Sequence, residues 1–428
     1  MQAESIRQLG KNIGERMKTK AVRLYGENDL RLEEFELPTL KDGEILIKVI
    51  SDSVCMSTYK TAKQGAKHLR VPDNVAENPV IVGHEFCAEV VEVTDKWKDR
   101  FKAGDKVVMP PVLSYLGGMQ TVGYSFGEIG GASTYSIVYD HIIENGYLIK
   151  LQSDCFFKGS LIEPASCVIR GYNANIHLDS ELEPFSNIIE GGKTAILAGC
   201  GPMGLVAIDI ALHGDKKPSL LVVTDISEER LERARAIFDP HEAKKDGIEL
   251  IFVNSSEKEE LIALTGGKGF DDVFVYAPIP ALVELADSIL GFDGCLNFFA
   301  GPIDKSFSAS FNFYNVHYAQ HHVAGTSGST TGDMLDIVRL IGDKKIDPAV
   351  MITHIGGLDA AIDTTLRLPE IEGGKKLIYT HISLPLTAIS DFEELGKNDA
   401  RFAELARLVK ANNGLWSADA EAYLLDNF

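Results

Sequence analysis

The spacing of apolar residues changes once along this chain. From Lys20 to about Leu151 the apolar residues come in short runs such as GEILIKVIS and AGDKVVMP, separated by Gly, Pro and Asp turns. Short β-branched runs bounded by turn residues predict strands, here an antiparallel and partly barrel-like unit. From about Ser166 the runs TAILAG, LLVVTD, ELIFVN, DDVFVYA and GCLNFFAG alternate with helical stretches such as SEERLERARAIF and IPALVELADSIL. Strands alternating with crossover helices predict a doubly wound parallel sheet, hence an α/β fold. After about Thr326 come helix signals and one late strand, KKLIYTHI. From Ser390 the pattern is helical, with Ser417 placed as a cap. Residues before Met17 read as a polar helix. The expected division is a first catalytic part over 17–170, a dinucleotide-binding unit over 171–326, and a return to the catalytic part with a helical extension over 327–428.

Composition narrows the function classes. The chain has 428 residues, 45% hydrophobic and 24% charged, enough for two or three units with a sizeable core. Its formal net charge of -20 repels nucleic acid and anionic membrane surfaces, so neither is an expected partner. The first twenty residues hold no apolar stretch of signal-peptide length. The longest apolar-leaning run, 194–212, is interrupted by glycines, Pro202 and Asp209. Six cysteines (Cys55, Cys87, Cys155, Cys167, Cys200, Cys295) show no framework spacing, which suits a reduced, cytoplasmic protein.

In TAILAGCGPMGLVAIDIAL, Gly199, Gly201 and Gly204 follow a strand and open a helix, with Pro202 and Met203 between them. In that context Gly199 makes the tight turn and Gly201 lets the backbone approach a pyrophosphate. Gly204 allows close helix packing, and the helix N-terminus attracts the phosphates. The next strand ends at Asp225, whose carboxylate suits ribose hydroxyls and repels a 2′-phosphate. NAD(H) is therefore favoured. NADP(H) stays open, because Arg230 lies close by as a compensating cation.

The stretch PVIVGHEFCAEVVEV, residues 79–93, reads mostly as strand yet holds His84 beside Glu85. Burying an ionised carboxylate without a partner costs several kcal/mol, so something must compensate. Upstream, SVCMSTYK holds Cys55. Downstream, GSLIEPASCVIRGY holds Glu163. Thiolate, imidazole and carboxylate are all zinc ligands. Singly, each has a plain reading: a buried cysteine, a satisfied histidine, a glutamate near a helix start.

Taken in order, VCMS, GHEFCAEV, GDKVV, EPASC, AGCGPMG and DISEERL make the chain resemble the zinc-dependent medium-chain alcohol and polyol dehydrogenases, from about Met17 to Ser383. The resemblance implies a GroES-like catalytic domain beside a Rossmann domain. It implies one catalytic zinc, with Cys55, His84 and Glu163 as ligands and Glu85 close to the metal. It implies also that Ser57 passes the alcohol proton outward, a role compatible with capping a helix. Two departures matter. The lobe that holds a structural zinc in many relatives, here PPVLSYLGGMQTVGYSFGEIGGAS, has no cysteine, so no structural zinc of that type is expected. Thr58 stands where many relatives have an Asp that orients the zinc-bound His. Such partners typically change metal affinity by about 10–100-fold.

After Cys55 the segment YKTAKQGAKHLRVP gathers Lys60, Lys63, Lys67, His68 and Arg70, with no acidic residue before Val71. A cationic rim suits a substrate phosphate, and a solvated helix face explains the same charges equally well. With the missing zinc lobe and the long tail, this segment also resembles the L-sorbose-1-phosphate reductase branch, which interconverts L-sorbose 1-phosphate and D-glucitol 6-phosphate. The alternatives are an unphosphorylated polyol or threonine dehydrogenase, a zinc-free quinone or enone reductase, and a non-catalytic dinucleotide-binding protein. The expected partner is a small sugar phosphate or polyol. A homodimer or homotetramer is expected, with GCLNFFAG as a candidate pairing edge. His317, His321 and His322 lack neighbouring thiols or carboxylates in sequence and read as closing the cofactor unit.

Overall fold

The computed structural model describes residues 17–254 and 257–428. The polar helix expected before Met17 lies outside the described residues. Two large sheets organise the rest, and helices pack around them.

One sheet is six-stranded and parallel, in the order Glu249–Val253, Leu220–Thr224, Lys193–Leu197, Phe270–Val275, Leu290–Phe298, His322–Ala324. Leu220–Thr224 is buried at every position, as a parallel strand covered on both faces requires. The chain runs outward from Lys193–Leu197 in one direction, then returns to its other side at Phe270–Val275. That reversal places the glycine loop at the switch point where open α/β sheets bind ligands. Leu290–Phe298 pairs on both sides, so GCLNFFAG is interior and not the expected edge; the edges are His322–Ala324 on that side and Glu249–Val253 on the other.

The other sheet runs Thr387–Ala388, Ile352–Gly357, Lys375–Tyr379, Ile45–Val54, Phe86–Val93, Lys106–Val108, Ile149–Lys150, and Tyr135–Val138 also pairs with Ile45–Val54. Most neighbours are antiparallel, as expected. The late strand Lys375–Tyr379 lies against Ile45–Val54, with Lys376 opposite Val54 and Tyr379 opposite Ser51. Ile352–Gly357 is a second late strand, parallel to it. Residues 79–93 are not one strand. Val80–Ile81 joins a small sheet with Lys18–Gly26, and pairing resumes only at Phe86. The break is at Gly83, whose φ is +88° and where a Cβ would sit 2.4 Å from Asp52 Oδ2. His84 and Glu85 occupy the gap.

The tail docks on this second sheet. Ser417 caps Ala418–Asn427 as expected, accepting from Ala420 N. Trp416 is fully buried and its Nε1 donates to Tyr379 Oη at 2.8 Å. The buried Glu421 carboxylate accepts from the backbone N–H of Phe156 and Phe157 and from Tyr379 Oη. No helix among the described residues is long and apolar enough to cross a membrane.

A polar group sits at the base of the parallel sheet. His177 is buried between Asp272 Oδ1, 3.0 Å from Nε2, and the Asp293 carbonyl, 2.9 Å from Nδ1. Two acceptors facing both ring nitrogens call for the doubly protonated imidazolium. Burial pushes the pKa of His177 down, but the hydrogen bond and charge of Asp272, then Asp293, carry it above the usual value. The group therefore stabilises fully below its unfolded pKa, and that contribution is lost as pH rises through the higher folded value. Urea unfolding across neutral to mildly alkaline pH should show stability falling by up to about 1.4 kcal/mol per pH unit from this site. His177→Phe should remove that slope while lowering stability at acidic pH.

Candidate active site

Cys55 ends the run of Ile45–Val54 and precedes the helix Met56–Gln64, with its backbone extended. The gap after Gly83 brings His84 and Glu85 to the same point. A sulfur, an imidazole nitrogen and a carboxylate oxygen of Cys55, His84 and Glu85 all lie within 4.8 Å of one another. Ser57 Oγ donates to Cys55 Sγ at 2.9 Å and lies 3.2 Å from His84 Nε2. Ser57 is inside the helix, and no side chain caps it, so the capping reading does not hold. Thr58 Oγ1 stands 3.4 Å from His84 Nδ1, a long contact on the ring's other side.

Glu163 is not part of that trio. It sits in the first turn of Ile162–Ala174, where the Cys167 thiol one turn on donates to its Oε1 at 3.7 Å. It still feels the same charges. Burial, then Glu85, pushes the Glu163 carboxyl up to about 8. Burial, then Glu85, pushes the Cys55 thiol up to about 12. Burial pushes His84 down to about 4, which keeps the ring neutral and its lone pair available. These acids cannot all ionise in one buried pocket unaided. A divalent cation would supply the missing charge, so the donor set fits zinc.

Two neighbours carry no sequence motif. Lys375 Nζ donates to Glu85 at 2.7 Å (Oε1) and 2.5 Å (Oε2), and Ser53 Oγ also bonds that carboxylate. Lys375 is a buried lysine at the start of the strand KKLIY, and that pairing of charge with a strand is the one available signal. Tyr124 places its ring 5.1 Å from His84 and 5.5 Å from His68, and its hydroxyl bonds Ser57.

The cationic segment divides. Lys67 is ion-paired to Glu27 at 2.7 Å, and Lys63 lies exposed over the Tyr59 ring. Lys60 reaches the Gly301 carbonyl at 3.5 Å. His68 and Arg70 are half-buried, and Arg70 exerts its charge on both His84 and Tyr124. The pair on the site side is therefore His68 and Arg70.

At the glycine loop, a Cβ on Gly204 would lie 2.1 Å from the Gly199 carbonyl oxygen, and one on Gly201 would meet nothing within 4 Å. Gly204 is thus closely packed on the loop, and Gly201 faces open space. Pro202 is the first residue of Pro202–His213 and no side chain caps that helix, leaving its amides for a ligand. Met203 follows in the first turn. Asp225 is buried and accepts from the N–H of Cys200 at 3.2 Å and of Ser227 at 3.0 Å, which fixes its carboxylate beside the loop. The Arg230 side chain is exposed just beyond.

Residues 41–145 match the alcohol dehydrogenase GroES-like domain and residues 202–343 the zinc-binding dehydrogenase domain. The chain is 48% identical over 413 residues to a mannitol-1-phosphate 5-dehydrogenase of Aliivibrio fischeri, covering 95% of this chain and 97% of that one. It is 47% identical over 408 residues to an L-sorbose 1-phosphate reductase of Klebsiella pneumoniae, with the same coverage. The solved 2R,3R-butanediol dehydrogenase of Bacillus subtilis superposes with a TM-score of 0.68 at 23% identity, over 85% of this chain and 100% of that one, a likeness of fold.

Removing one partner of the buried Glu85–Lys375 pair should expose its role. Lys375→Met leaves Glu85 buried and unpaired, and should cost about 3–5 kcal/mol of stability. Adding Glu85→Gln to that variant should recover much of the loss. Chemical denaturation of the wild type, the two single variants and the double variant measures the coupling.

Proposed function

Since the chain belongs to the GroES-like, zinc-binding alcohol dehydrogenase family, we propose that it moves a hydride between a nicotinamide dinucleotide and the carbinol or carbonyl carbon of a sugar phosphate. L-Sorbose 1-phosphate and D-glucitol 6-phosphate are the proposed pair. The observation that carries the phosphate is the half-buried pair His68 and Arg70: the Arg70 backbone N–H donates to His68 Nδ1 at 3.3 Å, and the His68 ring stacks 5.5 Å from Tyr124, itself 5.1 Å from His84. The names of both relatives, each specifying a 1-phosphate, support it.

We assign Cys55, His84 and Glu163 as the ligands of one zinc. Glu85 is already engaged by Lys375 and Ser53, whereas Glu163 has only the weak Cys167 thiol and gains most from a cation. Zinc bound there would lower the pKa of an alcohol or polarise a carbonyl. The remaining work falls to side chains. Ser57, in contact with Cys55, His84 and Tyr124, holds and passes the alcohol proton. Asp225 selects NAD(H) by presenting a carboxylate where NADP(H) carries its 2′-phosphate. Lys375 holds the Glu85 carboxylate in place. Assembly as a homodimer or homotetramer belongs to the same reading, with His322–Ala324 as an open edge.

Elemental analysis should find one zinc per chain and no second one. Cys55→Ala and Glu163→Gln should each lose the metal and nearly all turnover while the far-UV spectrum is kept. Glu85→Gln should retain most of the zinc. Stoichiometric zinc in the Glu163→Gln protein would refute that ligand.

The phosphate is tested by kinetics. Charge-assisted hydrogen bonds contribute about 1.5–3 kcal/mol, so Arg70→Ala should raise KM for D-glucitol 6-phosphate roughly ten- to a hundredfold. Sorbitol should be little affected. Equal kcat/KM of the wild type for sorbitol and its 6-phosphate would favour the plain polyol reading. Lys67→Ala, which breaks only the ion pair to Glu27, should leave both substrates unchanged.

A further inference from the structure

The glycine loop opens onto a cleft of about 1340 Å³. That exceeds the roughly 300–1,000 Å³ usual for small ligands and leaves room for a dinucleotide. One wall is Gly201, Pro202, Ser227 and Arg230. Thr353 and His354 of Ile352–Gly357 and Gly373, just before Lys375–Tyr379, also line the cleft. The helical extension contributes Lys397, Lys410 and Asn413 to the same lining. The extension thus does two things. Trp416 and Glu421 fasten it to the second sheet, and other residues of it line the cleft that holds the glycine loop.

The charges decide what this wall can recognise. The Arg233 guanidinium is taken by the Val350 carbonyl at 3.0 Å, and Lys397 is paired with Glu394. Burial pushes His354 down to about 4, so it carries no charge at neutral pH. The side chains of Arg230 and Lys410 have no hydrogen-bond or ion-pair partner among the described residues. Glu229, Glu372 and Glu393 also line the cleft, so it is not a general anion trap. Two unpaired cations, one from the cofactor unit and one from the extension, line this cleft together with uncapped helix amides. A ligand with a localised phosphate charge suits that arrangement.

We propose that residues 390–414 form the outer wall of the dinucleotide site, with Lys410 and Arg230 drawing the phosphates of the bound cofactor into one cleft. The proposal rests on the reading that the Gly199–Gly204 loop holds the dinucleotide. The extension is then part of cofactor binding as well as of stability.

NADH titration followed by fluorescence tests this on the full-length chain. Lys410→Glu should raise the Kd for NADH about tenfold or more, and Lys410→Gln by less. Added salt should weaken NADH binding less steeply in Lys410→Gln than in the wild type, because one cation has gone. A loss of mere packing would leave the salt dependence intact. Zinc content and the thermal midpoint should match the wild type in both variants. If Lys410→Glu does not fold, the salt dependence of Lys410→Gln decides. Wild-type NADH affinity and salt dependence in Lys410→Gln overturn the wall and leave the loop assignment standing. Failure of the wild type to bind NADH or NADPH overturns the loop assignment, and the wall with it.

Discussion

The ion pair between Glu85 and Lys375 joins side chains 290 positions apart in the sequence, and the site is built around it. Desolvating two charges costs several kcal/mol each, so such a pair survives only with good geometry and further hydrogen bonds. Both carboxylate oxygens of Glu85 accept from the ammonium, and the Ser53 hydroxyl adds another bond. The pair also fixes register. Side chains alternate along a strand, so slipping Lys375–Tyr379 by one residue against Ile45–Val54 would turn Lys375 away from Glu85. The strand that carries Lys375 also carries Tyr379, to which Trp416 and Glu421 attach the extension. One electrostatic requirement thus connects the metal locus, the late strands and the tail.

The remaining acids follow from the same balance. Cys55 and Glu163 are pushed toward their protonated forms by burial and by the charge of Glu85. Asp52, buried at the Gly83 break, is raised well above its usual range for the same two reasons. A pocket with more acid than it can ionise is primed to exchange protons for a cation. The sequence departure at Thr58 fits this picture. Its hydroxyl offers His84 a weak contact without adding a further negative charge.

The parts legible in the sequence are those whose physics is local. The glycine spacing before Pro202–His213 needs only a strand, a turn and a helix start, and Cys55 and His84 sit in short motifs. The cysteine-free lobe is legible for the same reason. Lys375 and Tyr124 are not, because their partners are distant in the chain and leave no periodic trace. Residues 79–93 look like one strand because β-branched residues flank both sides of the break. The conformation of Gly83, set by Asp52 and Ala132, comes from tertiary crowding. His322–Ala324 is three residues long, too short to show alternation, so this edge of the parallel sheet was assigned one strand too early. Ile352–Gly357 ends in two glycines, which weakens its strand signal.

The return of Lys375–Tyr379 to Ile45–Val54 has a consequence for the newborn chain. Domains fold as units while synthesis proceeds at about 5–20 residues per second. The parallel sheet draws all its strands from residues 193–324 and can close as soon as they emerge. The first-made strands cannot. The end of Ile45–Val54 must wait more than three hundred residues for its late neighbour, and Glu85 waits 290 for its counter-ion. During that interval an apolar strand edge and an unpaired carboxylate are exposed together. The ribosome therefore carries the catalytic half unfinished, beside a completed cofactor sheet, until the late strands arrive.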